Sequence, residues 1–134
     1  MNNFERTLSI IKPDAVERKL ENEIKNEFKS NGFIIINEKK IMLEKSETEK
    51  FYQVHQSKPF YNDLCEYLSS GPIIVMILKK ENAVVDNRKL MGATDPKKSE
   101  EETIRKKYGI SIEKNSVHGS DSLENAKTEI SFFF

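Results

Sequence analysis

The chain has 134 residues, enough for one domain with a buried core but not for two. Its 22 basic residues balance its 22 acidic ones, so no net field draws it to nucleic acid or to an anionic membrane, and any anion it binds must be gripped by a local cluster of positive groups. The single cysteine, Cys65, excludes an internal disulfide, no run approaches the roughly 20 apolar residues of a membrane helix, and Met1 to Glu5 lacks a signal-peptide pattern, so the expectation is a cytoplasmic protein.

Arg6 to Ile11 mixes Thr, Leu, Ser and Ile and predicts a strand. Pro13 stops it and is tolerated at the first position of a following helical turn, where its missing N–H costs nothing. Leu20, Ile24 and Phe28 recur at i+4 and predict an amphipathic helix closed by Asn31-Gly32. Phe33 to Leu43 reads as a long strand. Ser46-Glu47-Thr48-Glu49 has the spacing of a capping box and predicts a helix to about Gln56. Pro59 breaks the chain, and Phe60, Leu64 and Leu68 share one face of the next helix, which Gly71-Pro72 ends.

Ile73 to Leu78 is a continuous apolar run, the pattern of a strand buried on both faces. Asn82 is placed to cap a helix through Arg88 to Met91, with Gly92 as terminator. Ala93 to Tyr108 is a long, mostly polar stretch, a length that usually marks a functional loop. Asp121 with Glu124 three residues later suggests another helix start, and the alternation of Ile130, Phe132 and Phe134 predicts a closing strand. The order βα-β-αα-β-α-loop-α-β points to an α/β sandwich, one sheet covered by helices, in a single domain over residues 1–134.

The two histidines sit in different surroundings. His55 follows Phe51-Tyr52-Gln53-Val54 on a predicted helix face, where a packed or surface imidazole is the plain reading. His118 lies among small polar residues and precedes Gly119, which lets a bulky anion approach closely. A helix starting near Asp121 would turn its positive end toward His118 and favour a phosphate docked there. No His/Cys spacing of the zinc type occurs, nor a P-loop ending in Gly-Lys-Ser/Thr, nor a protein-kinase motif. Asp14 and Glu17 show no pairing in sequence, and the charged blocks Lys39–Lys50 and Lys97–Glu102 read as solvated surface.

The segment Asn115-Ser116-Val117-His118-Gly119-Ser120-Asp121-Ser122 resembles the active-site signature of nucleoside diphosphate kinases, in which the histidine becomes phosphorylated. Arg6-Thr7-Leu8 through Ile11-Lys12-Pro13-Asp14-Ala15 resembles that family's first strand and turn. Lys58-Pro59-Phe60-Tyr61, Ser70-Gly71-Pro72, Asn87-Arg88, Met91-Gly92-Ala93-Thr94-Asp95-Pro96 and Thr103-Ile104-Arg105 follow in family order. The resemblance covers essentially the whole chain. It implies an α+β, ferredoxin-like sandwich with a four-stranded antiparallel sheet, and ping-pong transfer of a γ-phosphoryl group between nucleoside tri- and diphosphates through His118.

The resemblance also implies roles for individual residues. Lys12 would contact phosphate and sugar hydroxyl, Asn115 the sugar, and Arg88, Thr94 and Arg105 the phosphates. Phe60 would stack on the base, with Ile112 closing the other side and Leu64 nearby. Because every base has a π-face, stacking implies broad base specificity. Tyr52 would hydrogen-bond near the reacting phosphate, and Ser120 and Glu129 would orient the imidazole from behind. Mg²⁺ is the implied cofactor, met by Asp121 through water, and the implied assembly is a homo-oligomer, hexamer or tetramer, requiring neither nucleic acid nor membrane.

Three departures from the family pattern bear on that reading. Asn22 stands where the family usually has Gly, a change that left-handed geometry tolerates. Lys98-Ser99-Glu100-Glu101-Glu102 replaces the usual Pro-Gly before Thr-Ile-Arg, in a loop that helps place Arg105 and subunit contacts. Family members usually continue past the position of Phe134 into a tail that supports the oligomer. Glu102 and Glu113 are expected to bring negative charge close to the phosphates and weaken nucleotide binding. A catalytically silent interaction member of the family and a ferredoxin-like RNA-binding module are the rival classes; balanced charge and the lack of clustered strand aromatics speak against the second.

Overall fold

The computed structural model describes residues 4–134. Strands β1 (Phe4–Ile11), β2 (Ile34–Ile41), β3 (Ile73–Glu81) and β4 (Val117–Gly119) form one four-stranded sheet in the order β2-β3-β1-β4. Every neighbouring pair is antiparallel. The intervening helices are α1 (Pro13–Glu17), α2 (Glu21–Ser30), α3 (Lys45–Phe51), α4 (Tyr61–Leu68), α5 (Ala83–Met91) and α6 (Ile104–Tyr108), and α7 (Leu123–Phe133) follows β4. This is the expected ferredoxin-like α+β sandwich.

The central strands show why the apolar run at Ile73 needs two covered faces. Ile74, Met76 and Leu78 of β3 join one cluster with Ile24 and Phe28 of α2, Met91 of α5 and Ile104 of α6. Ile73 and Val75 join the other with Leu8 and Ile10 of β1, Leu68 of α4 and Phe133 of α7. Successive side chains of a strand alternate between faces, so helices on both sides demand apolar residues at every position. Each fully buried Leu, Ile or Phe contributes roughly 1.5–3 kcal/mol. Among the described residues, no helix is long and apolar enough to cross a membrane.

Several local expectations are corrected. Ile130, Phe132 and Phe134 do not form a closing strand. Residues Leu123–Phe133 are helical, because Ala126, Ile130 and Phe133 recur at helical spacing and pack inward, while Phe132 and Phe134 stay exposed. The cap of α7 is Ser122, whose hydroxyl accepts the Asn125 N–H at 3.0 Å, not Asp121. The fourth strand is instead Val117–Gly119, three residues long and too short to show a period in sequence. The capping box of α3 uses Glu44 and Glu47 in place of Ser46 and Glu49. The helix stops at Phe51, and a 3₁₀ turn over Gln53–His55 follows.

Asn82 precedes α5 in left-handed geometry and makes no side-chain cap bond, whereas Gly92 ends that helix as expected, at φ 89°. The stretch from Ala93 to Tyr108 is not structureless, since it holds a 3₁₀ turn over Pro96–Lys98 and then α6. β4 pairs with the end of β1, setting His118 opposite Ile10, while the Lys12 N–H donates to the Ser116 carbonyl at 2.8 Å. A residue from the start of the chain thereby meets residues from its last quarter.

Candidate active site

A cavity of about 790 Å³ opens beside this junction. Lys12, Arg88, Thr94, Arg105, Asn115 and His118 line it, as do Tyr52, Phe60, Leu64, Ile112, Asp121 and Glu129. Of the expected site residues only Ser120 is not among its walls; it lies fully buried behind His118.

The cationic wall is built from three elements. Lys12 leaves the end of β1 and is buried; its Nζ donates to Asn115 Oδ1 at 2.9 Å, and Asn115 Nδ2 donates to the Thr94 carbonyl at 3.0 Å. Arg105 comes from α6, which Thr103 caps through the Lys106 N–H. Its Nη1 donates to the Gly92 carbonyl at 3.0 Å and its Nη2 to the Val117 carbonyl at 2.9 Å. Arg105 is therefore held from both sides, and the unusual acidic loop before it does not displace it. Arg88 reaches the same cavity from α5.

Grouping these cations is unfavourable without a compensating anion. Burial, followed by the neighbouring Arg105, lowers the Lys12 ammonium to about 8. Burial, followed by Arg88, lowers Arg105 to about 10. Arg105 Nε is buried with no partner among the described residues. A polyanion would supply what the wall lacks.

His118 is fixed from behind. Its Nε2 lies 2.9 Å from Glu129 Oε1, and the same carboxylate oxygen accepts from Ser120 Oγ at 2.9 Å. Ser120 Oγ in turn accepts the Leu8 N–H at 3.3 Å, tying the group to β1. A carboxylate accepts but does not donate, so it selects the tautomer with the proton on Nε2 and leaves the lone pair on Nδ1. The Phe51 ring packs edge-on against the imidazole, with centroids 5.3 Å apart.

Gly119 lines the cavity, and its lack of a side chain has a further use. A Cβ there would run into Asn87 Nδ2 and Met91 Cε of α5, so the glycine lets β4 and α5 pack closely.

Among the other lining residues, Phe60 and Ile112 are exposed apolar side chains, 47% and 60% accessible. Unlike core residues, they offer open surfaces to a flat ring. Tyr52 is buried, and burial chiefly pushes its phenol up, keeping it a proton donor.

Two positions differ from what the sequence suggests. His55 is not merely a packed helical histidine. It lines the cavity from the 3₁₀ turn, 6.1 Å from the Phe60 ring, and its Nδ1 is buried without a partner among the described residues. Its place between Tyr52 and Phe60 was the available signal. Glu113 lines the cavity as expected, but Glu102 does not.

The comparisons agree with this geometry. A family model described as nucleoside diphosphate kinase matches residues 5–134. A nucleoside diphosphate kinase of a Nitratiruptor species is 58% identical over 131 residues, covering 98% of this chain and 96% of the relative. One from Campylobacter fetus subsp. fetus is 55% identical with the same coverage. The crystal structure of the Aquifex aeolicus nucleoside diphosphate kinase superposes with a TM-score of 0.95 at 38% identity, covering 98% of this chain and 95% of the other. That of Encephalitozoon cuniculi gives 0.94 at 37%, covering 97% and 88%. With the family model spanning almost the whole described chain and relatives more than half identical to it, the chain belongs to the nucleoside diphosphate kinase family.

Proposed function

We propose that this phosphotransferase carries the γ-phosphoryl group from a nucleoside triphosphate to a nucleoside diphosphate on His118 Nδ1. Nδ1 attacks the γ-phosphorus; the N–P bond forms as the bond to the β–γ bridging oxygen breaks, and the diphosphate leaves with that electron pair. The proton remains on Nε2, hydrogen-bonded to Glu129, whose negative charge offsets the phosphoimidazolium. A terminal oxygen of the second diphosphate then attacks the same phosphorus and releases the neutral imidazole. Two successive displacements at phosphorus, with one nitrogen as nucleophile and then as leaving group, make the kinetics ping-pong. The observation that carries this reading is the Glu129-backed imidazole facing a cavity that also holds Lys12, Arg88 and Arg105.

In this reading Lys12 grips phosphate and a sugar hydroxyl, Asn115 grips the sugar, and Arg88, Thr94 and Arg105 bind the phosphates. Phe60 and Ile112 form a slot for a base held by stacking, with Leu64 beside it, which fits broad base use. His55 lines the same wall beside the Phe60 ring. Tyr52 stands as a donor for the transferred phosphoryl group.

A divalent cation, Mg²⁺ in this reading, fits the site as the companion of the triphosphate. Among the described residues no group of three or more His, Cys, Asp and Glu side chains surrounds a common point. Phosphate oxygens and water would supply most of its ligands. Asp121, at the cavity wall and bonded to Asn125, would reach it through water. The ion would offset phosphate charge during transfer.

Assembly as a homo-oligomer is supported by the unpaired edge of β2, which carries the exposed Ile34 and Ile36. Sedimentation of the protein tests it, a lone-subunit mass overturning it. A cytoplasmic setting fits the one buried thiol, Cys65.

Incubation with γ-labelled ATP and Mg²⁺ tests the proposal. An acid-labile label on the protein, passing to a second nucleoside diphosphate, is expected; failure to label, or label that never passes on, overturns it. A silent interaction protein drew its support from the altered loop, and Arg105 is held in place despite it. Glu113 gives a milder prediction. At pH 7, with Lys12 still charged, Glu113→Gln should lower the nucleotide KM by about two- to fivefold, the size of an exposed charge interaction. Steady-state kinetics at low salt measures this, and an unchanged or higher KM would refute it.

A further inference from the structure

Asp14 is a buried carboxylate that the transfer chemistry leaves unused. Its Oδ2 accepts from Arg18 Nη2 at 3.0 Å and from Ser116 Oγ at 3.1 Å. Its Oδ1 accepts a short bond from the Tyr67 hydroxyl, and the Asp14 backbone N–H donates back to the same phenol oxygen at 2.9 Å. Arg18 also donates to Ser116 Oγ at 3.2 Å and to the Tyr108 carbonyl, at the end of α6, at 2.6 Å. The carboxylate therefore joins α1, α4 and the segment entering β4, and its partner Arg18 extends the link to α6.

What these bonds hold is an unfavourable piece of backbone. Ser116 is fully buried at φ 75°, in the left-handed region that side chains other than Gly, Asn and Asp rarely adopt. The residue before it is Asn115, whose Oδ1 accepts from Lys12 Nζ, and the Ser116 carbonyl accepts the Lys12 N–H. Lys12 and Asp14 flank Pro13 in one turn, so the two strands of contact close a loop: Lys12 to Asn115–Ser116, and Ser116 back to Asp14. Burial, then the bond to Asp14, push the Tyr67 phenol up, so it remains a donor to the carboxylate.

We infer that Asp14 is a positioning residue for sugar recognition, bracing the Lys12–Asp14 turn against the left-handed Asn115–Ser116 turn so that Lys12 and Asn115 present their polar groups to the nucleotide sugar hydroxyls. This rests on the reading that those two residues grip the sugar. Asp14 is not among the residues lining the cavity, and His118 is held separately by Glu129 and Ser120. Loss of Asp14 therefore loosens the grip on the sugar more than it disturbs the imidazole. A site built to hydrogen-bond a hydroxyl rejects the analogue lacking it, and that rejection fades when the partners lose their places.

The test compares kcat/KM for a ribonucleoside diphosphate and its 2′,3′-dideoxy counterpart as acceptors, in the wild type, Asp14→Ala and Ser116→Ala. The wild type should favour the hydroxylated acceptor strongly. Asp14→Ala should shrink that preference by roughly tenfold, mostly through a higher KM for the hydroxylated acceptor, and Ser116→Ala should shift it the same way by less. General loss of folded protein would lower both acceptors together and leave the ratio alone. If Asp14→Ala fails to fold, Ser116→Ala decides, since it removes one hydroxyl and leaves the Asp14–Arg18–Tyr67 bonds intact. A wild-type preference preserved in the folded variants overturns the role of Asp14. A wild type without the preference overturns the sugar-grip reading itself.

Discussion

Replacing His118 with glutamine is expected to cut nucleoside diphosphate kinase activity by more than about 10⁴-fold, the scale seen when a covalent nucleophile is removed. Glutamine suits the test because its amide can still donate to Glu129 and sit beside Phe51, while lacking a nitrogen lone pair able to attack phosphorus. The cationic wall does not depend on the imidazole: Arg105 is tied to the Gly92 and Val117 carbonyls and Lys12 to Asn115. Nucleotide binding should therefore persist, within a few-fold in Kd, while transfer disappears. Calorimetry with a nucleoside diphosphate, a coupled activity assay and an acid-lability assay on labelled protein read the three parts separately. Label on the glutamine variant would show that another residue carries the phosphoryl group.

The second large effect concerns Lys12 and is best seen against pH. Burial first, and the Arg105 charge second, bring its ammonium down from an ordinary lysine's range to about 8. Asp14 and Glu113 act in the opposite sense, but by less. In the proposed reading the charged form binds phosphate and donates to the sugar; it is complete well below pH 8 and is lost as pH rises through it. Thus kcat/KM should be level near neutrality and fall on the alkaline side, approaching tenfold per pH unit beyond the midpoint. A bound triphosphate adds negative charge beside Lys12 and favours its protonation, so kcat should hold to higher pH than kcat/KM.

Lys12→Met keeps the aliphatic stem and removes the ammonium. It should lower kcat/KM at neutral pH by about 10²–10³-fold, the cost of deleting one preorganised charge-stabilising donor, and erase the alkaline limb. A wild-type kcat/KM that stays flat through pH 9, or a Lys12→Met profile that still falls near pH 8, would dismiss this account. The competing expectation, that Glu113 chiefly depresses nucleotide binding, has its own variant and is measured below the limb.

Parts of this molecule are legible along the chain because they depend on neighbours in sequence. Ile24 and Phe28 announce a helix by their spacing, Pro13 and Gly92 mark a start and a stop, and Ile73 to Leu78 declares a strand covered on both faces. The end of the chain is a helix and not the expected closing strand, because its local pattern fits both periods. Ile130, Phe132 and Phe134 alternate, but Ala126, Ile130 and Phe133 also fit a helix, and only the apolar cluster under α7 decides between the two periods. The strand carrying His118 is three residues long, and it exists because the edge of β1 is free to pair with it.

The site divides along the same line. Which residues to suspect came from their types and order: a histidine among small residues, and Lys12, Arg88, Arg105 and Asn115 in a recognisable sequence. Their convergence did not, since each lies on a different element and no local interaction relates Lys12 to Asn115. His55 looked ordinary until the 3₁₀ turn set it in the cavity wall, and Asp14 looked unpaired until Arg18, Tyr67 and Ser116 met it from three directions. By itself the sequence determined the chemistry available, the domain's size and most of its elements, because composition, turn residues and periodicity act over a few positions. Only the tertiary structure decided which nitrogen of His118 is free, how low the Lys12 ammonium falls and what braces the left-handed turn at Ser116, because burial and long-range hydrogen bonds exist only once the elements have packed.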